Sequence, residues 1–273
     1  MFCGVKIIFF FLCHTTHFSY LCTMKQQQDL TATIRKYLTS HGHTTFHPKA
    51  VFYDMDGVLF DSMPFHAEAW TSVLKEQGIP FEAVDAYANE GRTGKDTIDT
   101  FFLKYKGREA TEEELKTVYQ HKAETFASIY KVRRVPHILQ LMEYLASVPL
   151  KCYLVTGSGQ LTLLNTLNEW FPAYFNETNM ITAYDVTNGK PSPEPYQKAL
   201  KLSGLQPNEV FVIENAPLGV RSAVDAGIFT FAVNTGILPD ELLTSECGES
   251  GVVLSSMEQL HQVLKVLPRA ISV

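Results

Sequence analysis

The chain has fewer basic than acidic residues. Its 273 residues include 23 Lys and Arg against 29 Asp and Glu, which gives a formal net charge of -6 at pH 7. Proteins that bind nucleic acid usually concentrate Lys and Arg on one face or along one segment. The sequence has no such basic block, so we expect no nucleic acid partner.

Cysteine is scarce in most of the chain. Three of the five cysteines, Cys3, Cys13 and Cys22, lie in the first 22 residues, and the others are Cys152 and Cys247. This spacing matches neither a zinc site nor the dense disulfide framework of small secreted domains. We therefore expect a fold that is stabilised by its hydrophobic core.

A hydrophobic run long enough to span a membrane is also missing. The apolar segment VKIIFFFLC near the N-terminus is too short for a membrane span, but it has the length of the apolar part of a secretory signal. No clear small-residue cleavage site follows it. The alternative is an upstream extension of the reading frame, residues 1–23, with translation starting at Met24. We favour the extension, and we therefore expect a cytoplasmic protein with no membrane association.

The rest of the chain alternates between apolar strands and helices. Residues 24–48 form a helical lead-in, because Leu30, Ile34 and Leu38 recur at helical spacing. Five apolar runs predict buried strands, and they occur in the segments AVFYDMDG, LKCYLVTGSG, NMITAYD, EVFVIENAPLG and FTFAVNTG. Helical patterns separate the last four runs, which predicts a Rossmann-like α/β domain with a parallel sheet, formed by residues 49–64 and 134–273. The intervening residues 65–133 show helical patterns and no convincing strand, and they predict an inserted α-helical cap domain after the first strand.

Two aspartates follow the first predicted strand. Asp54 and Asp56 stand beside Gly57, which permits a sharp turn and lets a substrate approach. Ligands of parallel sheets bind at the carboxyl ends of the strands. Two neighbouring carboxylates repel each other unless a cation or a proton compensates, and Mg²⁺ suits such oxygen ligands. One carboxylate could attack a phosphoryl group while the other transfers protons. The alternative is that both aspartates only cap a turn.

Other predicted strand ends carry the remaining groups that phosphoryl transfer needs. They are Thr156, Gly157 and Ser158 as an anion site, Lys190 as a positive charge, and Glu214 and Asn215 as oxygen donors for a cation. Each of these residues also has a simpler interpretation, as a helix cap, a solvated loop lysine or a surface acid. Together they form a complete set for phosphoryl transfer.

Four segments in order resemble the motifs of one family. DMDGVLFDS, VTGS, KPSPEPY and IENAPLGV are similar to the four motifs of the haloacid dehalogenase superfamily, within its beta-phosphoglucomutase-like subgroup of phosphatases and mutases. The resemblance extends from about Lys49 to Leu238. It implies that Asp54 is a nucleophile that becomes an aspartyl-phosphate, and that Asp56 is the general acid and base. It also implies that Thr156 and Lys190 hold the transferring phosphoryl group.

The same resemblance implies a Mg²⁺ site formed by Asp54, Asp56, Glu214 and Asn215. The family usually has Asp at the position of Asn215, so this chain lacks one negative charge there. We expect Mg²⁺ to bind more weakly or Glu214 to take a larger share. A catalytically inactive binding protein is a less favoured alternative that this departure suggests.

The mutase pattern is incomplete in this sequence. His66 and Trp70 match cap-linker residues of beta-phosphoglucomutase, but its second phosphate clamp is replaced by Gly94, Gly159 and Gln160. Arg92 and Lys95 are near enough in sequence to substitute for it. The predicted substrate-binding residues are Gly57, His66, Trp70, Arg92, Lys95, Gly157 and Ser158. We therefore expect a Mg²⁺-dependent phosphatase of a small sugar phosphate or similar phosphorylated metabolite, with beta-phosphoglucomutase as the alternative, and we leave the oligomeric state open.

Overall fold

The computed structural model describes residues 28–159 and 161–273. The predicted N-terminal extension of residues 1–23 lies outside the described residues, as do residues 24–27 and Gln160. Across the part of the chain that is described, no helix combines the length and the apolar character that crossing a membrane requires.

The described residues form strands and helices that follow one another along the chain. The strands are β1 (Thr45–Phe46), β2 (Ala50–Tyr53), β3 (Lys151–Val155), β4 (Met180–Ile181), β5 (Val210–Glu214), β6 (Phe229–Val233), β7 (Gly251–Leu254) and β8 (Ile271–Ser272). The helices are α1 (residues 28–40), α2 (Met63–Glu76), α3 (Ala83–Ala88), α4 (Gly94–Lys106), α5 (Glu112–Ile129), α6 (Ile138–Ala146), α7 (Leu161–Trp170), α8 (Glu194–Ser203), α9 (Pro217–Asp225), α10 (Asp240–Cys247) and α11 (Met257–Val266). Short 3₁₀ turns occupy Glu177–Asn179, Ala183–Asp185 and Pro207–Glu209.

A parallel sheet of six strands forms the centre of the molecule. Its strand order is β4-β3-β2-β5-β6-β7. Every residue of β2, β5 and β6 is buried, because helices cover both faces of the sheet. The register pairs Tyr53 of β2 with Leu154 of β3 and with Ile213 of β5. The carboxyl ends of these three strands therefore lie side by side.

The predicted Rossmann-like α/β class is confirmed, although several peripheral elements were not expected. All five predicted strands are present, and β7 extends the sheet at its edge. Helices α6, α10 and α11 were also not anticipated. A separate antiparallel pair joins β1 to β8, and the Arg35 side chain of α1 donates a hydrogen bond to the Ser272 carbonyl at 3.1 Å. This hydrogen bond links helix α1 of the lead-in to strand β8 at the end of the described chain.

Helices α2 to α5 lie between β2 and β3, and we call them the helical insertion. These helices extend from Met63 to Ile129, and residues 65–133 contain no strand. The insertion has a hydrophobic cluster that includes Trp70, Leu74, Ile98 and Phe102, and Leu238 of the sheet domain joins it. A capping box is present at the start of α5, where the Thr111 side chain accepts a hydrogen bond from the Glu114 N–H.

The two connections between the insertion and the sheet domain bond to each other. The Asp61 N–H donates to the Arg133 carbonyl at 2.9 Å, and the Val135 N–H donates to the Leu59 carbonyl at 3.1 Å. Phe60 and Arg134 form an antiparallel bridge between these bonds. The predicted domain boundaries, 49–64 and 134–273 for the core and 65–133 for the cap, stay predictions.

The buried aromatic cluster around β6 generates a stability prediction. The Phe229 ring is fully buried and meets the rings of Tyr37, Phe46 and Phe231 edge-on, at centroid distances of 5.4 to 5.6 Å. We expect Phe229→Ala to lower the free energy of unfolding by about 3–5 kcal/mol, because it leaves a cavity in a packed core. Urea denaturation measures this loss. The control Leu202→Ala removes a half-exposed side chain of α8, and a comparable loss there would contradict the assignment of Phe229 to the core.

Candidate active site

A buried lysine connects the ends of the central strands. The side chain of Lys190 is fully buried, and its Nζ donates hydrogen bonds to Asp54 Oδ1 at 2.5 Å, Glu214 Oε1 at 2.6 Å and the Val155 carbonyl at 3.0 Å. The three acceptors belong to β2, β5 and β3 or follow them directly. The interpretation of Lys190 as a solvated loop lysine is therefore excluded.

Glu214 is held by donors on both carboxylate oxygens. Tyr196 of α8 donates to Oε1 at 3.0 Å, while the N–H groups of Asn215 and Ala216 donate to Oε2 at 2.9 and 3.2 Å. These N–H groups lie just before α9, where backbone donors have no helical acceptor. Glu214 is 1% exposed and is not a surface acid. It anchors Lys190 and adds its negative charge to the site.

The cluster around Asp54 carries more negative than positive charge. Burial raises the pKa of Asp54 well above its ordinary value, and Glu214 and Asp56 add to the rise, whereas Lys190 opposes it. Burial alone would lower the pKa of Lys190, but Asp54 and Glu214 outweigh burial and raise that pKa. One ammonium group cannot neutralise these neighbouring carboxylates, so the site favours a further cation or a bound proton.

Asp56 faces the helical insertion. Its Oδ1 accepts hydrogen bonds from Ser62 Oγ at 2.5 Å and from His66 Nε2 at 3.0 Å. His66 Nδ1 is 2.8 Å from Lys122 Nζ. Since the Lys122 amine has hydrogens to donate, a neutral His66 accepts at Nδ1 and donates from Nε2. Burial raises the pKa of Asp56, but His66, Ser62 and Lys122 outweigh it and hold that pKa below its ordinary value.

Sequence reasoning missed Lys122. It lies on α5, 56 positions after His66, and no local motif marks it. Its side chain is 3% exposed, and its Nζ is 5.1 Å from the ring centroids of Trp70 and Phe126. Burial lowers the pKa of Lys122 to about 7, although Asp56 opposes this shift. The signal that the sequence offered for Lys122 was a lysine close to aromatic residues on a helix of the insertion.

Glu90 is a second residue that the sequence did not indicate. It belongs to the loop between α3 and α4, and its Oε2 accepts a hydrogen bond from Asn215 Nδ2 at 3.1 Å. Burial raises the pKa of Glu90 well above its ordinary value, and Asp54, Asp56 and Glu214 add to the rise. The Asn215 amide packs on Gly57, which has a φ of +82°, and a Cβ on Gly57 would lie 2.1 Å from Nδ2. Gly57 therefore allows both the turn and this close packing.

The loop after β3 closes against the helical insertion. A Cβ on Gly157 would lie 2.1 Å from the Gly91 carbonyl oxygen, so the two backbones touch here. Thr156 is buried, and its Oγ1 accepts a hydrogen bond from the Ser158 N–H at 3.0 Å, a local capping contact. The predicted residues that line one shared cavity are Asp54, Asp56, His66, Trp70, Arg92, Thr156, Gly157 and Ser158.

Lys95 is not brought to this cavity. Its Nζ bonds to Asp99 Oδ2 at 2.7 Å on the exposed side of α4, and its side chain is 64% exposed. Arg92 does line the cavity, and its Nε donates to Asn89 Oδ1 at 3.1 Å. Of the two cations suggested as a second clamp, the structure therefore places only Arg92 at the cavity.

The donor set fits a hard cation. Within the described residues, no three His, Cys, Asp or Glu side chains form a ready metal cluster. The Asn215 Oδ1 atom, however, is buried and has no hydrogen-bond partner in the described chain. An amide oxygen beside carboxylates is a ligand set that Mg²⁺ accepts. The predicted ligands Asp54, Asp56 and Asn215 thus fit a Mg²⁺ ion. The fourth predicted ligand, Glu214, already accepts hydrogen bonds from four donors.

Comparison with known proteins agrees with this arrangement. A family model described as haloacid dehalogenase-like hydrolase matches residues 51–233. The chain belongs to this family. The phosphorylated carbohydrates phosphatase of Thermotoga maritima is 29% identical over 218 residues, which are 80% of this chain and 98% of that protein. Hexitol phosphatase A of Escherichia coli is 28% identical over 212 residues, 78% of this chain and 93% of that one.

A solved structure gives the same result for the fold. It comes from Bacteroides vulgatus, carries the provisional name beta-phosphoglucomutase, and is 46% identical with a TM-score of 0.83. The match covers 88% of this chain and 96% of that chain. The expected family, and an enzyme of its phosphatase and phosphomutase type, are therefore confirmed. The role of each site residue remains a prediction.

The lowered pKa of Lys122 generates a test of pH-dependent stability. Between the folded value of about 7 and the ordinary value of 10.5, the unfolded chain binds a proton that folded Lys122 does not bind. Stability of the wild type should therefore rise with pH in this window relative to Lys122→Met, by at most about 1.4 kcal/mol per pH unit. Urea unfolding at about pH 7.5 and pH 9 measures both slopes. The control Lys116→Met alters an exposed lysine of the same helix and should keep the wild-type slope. Equal slopes for wild type and Lys122→Met would contradict the shift.

Proposed function

We propose that this protein is a Mg²⁺-dependent phosphatase that hydrolyses a small sugar phosphate or related phosphate monoester through an aspartyl-phosphate. The observation that carries the proposal is the arrangement of two buried aspartates with different partners. Lys190 holds Asp54, while His66 and Ser62 hold Asp56. Different environments are how two carboxylates take a nucleophile role and an acid/base role.

In the first step, Asp54 attacks the phosphorus atom. Lys190 holds Oδ1, so Oδ2 is the oxygen that forms the new O–P bond while the ester O–P bond breaks. The leaving oxygen takes a proton from Asp56. Since the partners of Asp56 favour its ionised form, that proton has to be supplied as substrate binds, and the contact from Lys122 through His66 offers a route to it.

In the second step, a water molecule attacks the phosphorus of the aspartyl-phosphate. Asp56 now accepts a proton from this water, and the Asp54 O–P bond breaks to release inorganic phosphate. The described environment suits this step, because His66, Ser62 and Lys122 stabilise ionised Asp56. Lys190 and the loop from Thr156 to Ser158 would hold the phosphoryl oxygens.

Mg²⁺ would be held by Asp54, Asp56 and Asn215, and when bound it would offset the negative charge of the phosphoryl group and the carboxylates. We also propose that the helical insertion is the cap, since it contributes His66, Arg92 and Lys122 to the site and closes it against the Gly157 loop. The substrate would be a small phosphorylated metabolite.

Hydrolysis is favoured over mutase chemistry by the space near two glycines. A Cβ on Gly94 would lie 2.2 Å from the Tyr119 ring, and a Cβ on Gly159 would lie 3.3 Å from the Tyr184 hydroxyl oxygen. At these two of the three clamp positions there is no side chain to hold a second phosphate, and tyrosines lie beside the backbone instead. A phosphatase needs no second clamp. The two carbohydrate and hexitol phosphatases among the relatives support this direction.

Beta-phosphoglucomutase stays the second candidate. Arg92 lines the cavity and could hold the phosphate group that is not transferred. The provisional name of the Bacteroides vulgatus structure points the same way. Both candidates share the first step and differ in whether water or the sugar accepts the phosphoryl group.

Phosphorus NMR separates the two candidates. We expect the purified protein with Mg²⁺ and beta-glucose 1-phosphate, or one of a panel of sugar phosphates, to release inorganic phosphate. Accumulation of glucose 6-phosphate without phosphate release would establish the mutase instead. If neither product forms from any ester, the non-catalytic alternative gains support.

Replacement of the nucleophile provides a second test. Asp54→Asn should reduce phosphate release by at least about a thousandfold, because an amide cannot form the covalent intermediate. Circular dichroism would verify that the fold is intact. The control Asp225→Asn changes an exposed aspartate at the end of α9 and should keep full turnover. Near-native turnover in Asp54→Asn would rule out the assigned nucleophile.

A further inference from the structure

The loop between α3 and α4 brings a carboxylate of the helical insertion to the sheet domain. Glu90 of this loop accepts a hydrogen bond at Oε2 from Asn215 Nδ2, at 3.1 Å. Asn215 follows β5 and is 6% exposed. This contact therefore joins the insertion directly to the residue that replaces the usual metal-site aspartate.

Each partner in this contact has a buried oxygen that lacks a donor. The atoms are Asn215 Oδ1 and Glu90 Oε1, and no described residue donates a hydrogen bond to either of them. Buried acceptors in folded proteins are nearly always satisfied, so each exception needs an explanation. Two unpartnered oxygens in one contact are suited to a hard cation or to water bound to it.

Glu90 also decides which atom of the Asn215 amide is available. The Nδ2 group donates to the Glu90 carboxylate, so Oδ1 is the acceptor that remains. With Glu90 ionised, a flipped amide would place Oδ1 against Glu90 Oε2, where two oxygens without a hydrogen between them repel each other. Glu90 therefore orients the amide oxygen for an incoming cation.

We propose that Glu90 is part of the Mg²⁺ site and supplies, from the insertion, the negative charge that Asn215 does not supply from the sheet domain. This inference rests on the proposed Mg²⁺-dependent function. The proposal has a thermodynamic consequence. A metal ion that interacts with both the insertion and the sheet domain binds more tightly when the two are in contact. By linkage, Mg²⁺ favours closure by the same factor as closure strengthens Mg²⁺ binding.

A metal titration without substrate tests the proposal. The purified full chain is titrated with Mn²⁺ while free Mn²⁺ is followed by electron paramagnetic resonance, and Mg²⁺ is then added as competitor. We expect Glu90→Gln to weaken binding of both ions by about tenfold or more, because ligand charge sets affinity. Glu68→Gln removes an equal charge from an exposed position on α2 and should bind the ions as the wild type does.

The glutamine variant separates a metal role from a simple latch. Its amide oxygen can still accept the hydrogen bond from Asn215, so a latch between insertion and sheet domain would survive. Unchanged ion affinity in Glu90→Gln would therefore overturn the proposal. Adding Asn215→Asp to Glu90→Gln restores one negative charge and should return most of the affinity, whereas no recovery would contradict the charge argument.

Asn215→Asp alone covers the case in which Glu90→Gln fails to fold. It places a second carboxylate against Glu90 at the same contact, so it should bind Mn²⁺ and Mg²⁺ more tightly than the wild type. Equal or weaker binding would contradict the proposal.

Phosphate release by the same preparations separates the proposed function from the proposed role of Glu90. If the wild type binds the ions but releases no phosphate, only the proposed function is contradicted. If the wild type releases phosphate and Glu90→Gln binds the ions as tightly as the wild type does, only the role of Glu90 is contradicted.

Discussion

One buried ammonium group between two carboxylates organises the candidate site. Lys190 bonds to Asp54, to Glu214 and to the end of β3, and it thereby ties three neighbouring strand ends together. Removing one partner from such a buried cluster leaves an uncompensated charge, which costs several kcal/mol. The position of Asp54, the proposed nucleophile, therefore depends on a buried lysine. That lysine is held in turn by Glu214, which accepts hydrogen bonds from Tyr196 and from two N–H groups just before α9.

The insertion contributes side chains to the candidate site that the sheet domain does not supply. The sheet domain provides the excess of negative charge around Asp54, and the insertion provides His66 and Lys122 next to Asp56. Glu90 meets Asn215 from the same side. The charged groups of the candidate site therefore come from both the sheet domain and the insertion, at the place where the two are in contact.

The strand-end residues could be predicted from sequence because strand order and position locate them without knowledge of packing. Asp54, Asp56, Lys190 and Glu214 follow or flank apolar runs, and parallel strands bring their ends to one edge. Lys122 and Glu90 could not be found in this way, since a helix face and a loop reach the site only through tertiary packing of the insertion.

Several missed elements have local causes. Strands β1 and β8 have two residues each, too few for any periodicity, and they pair across more than 220 positions. Strand β7 begins at a glycine and is only partly buried, so its pattern is weak. Helix α6 starts after His137, whose φ is +64° and whose side chain caps nothing, so no start signal was present.

The paired connections of the insertion limit how it can move. Asp61 and Arg133 on one side, and Leu59 and Val135 on the other, bond the outgoing and returning chains into a short two-stranded ribbon. Two single tethers would permit rotation about several axes, whereas a ribbon bends mainly about the axis across its width. The insertion would then approach the sheet domain along nearly one path. If the insertion closes as proposed, it would lose few rotational degrees of freedom on closure, and His66 and Lys122 would meet Asp56 in the same geometry each time.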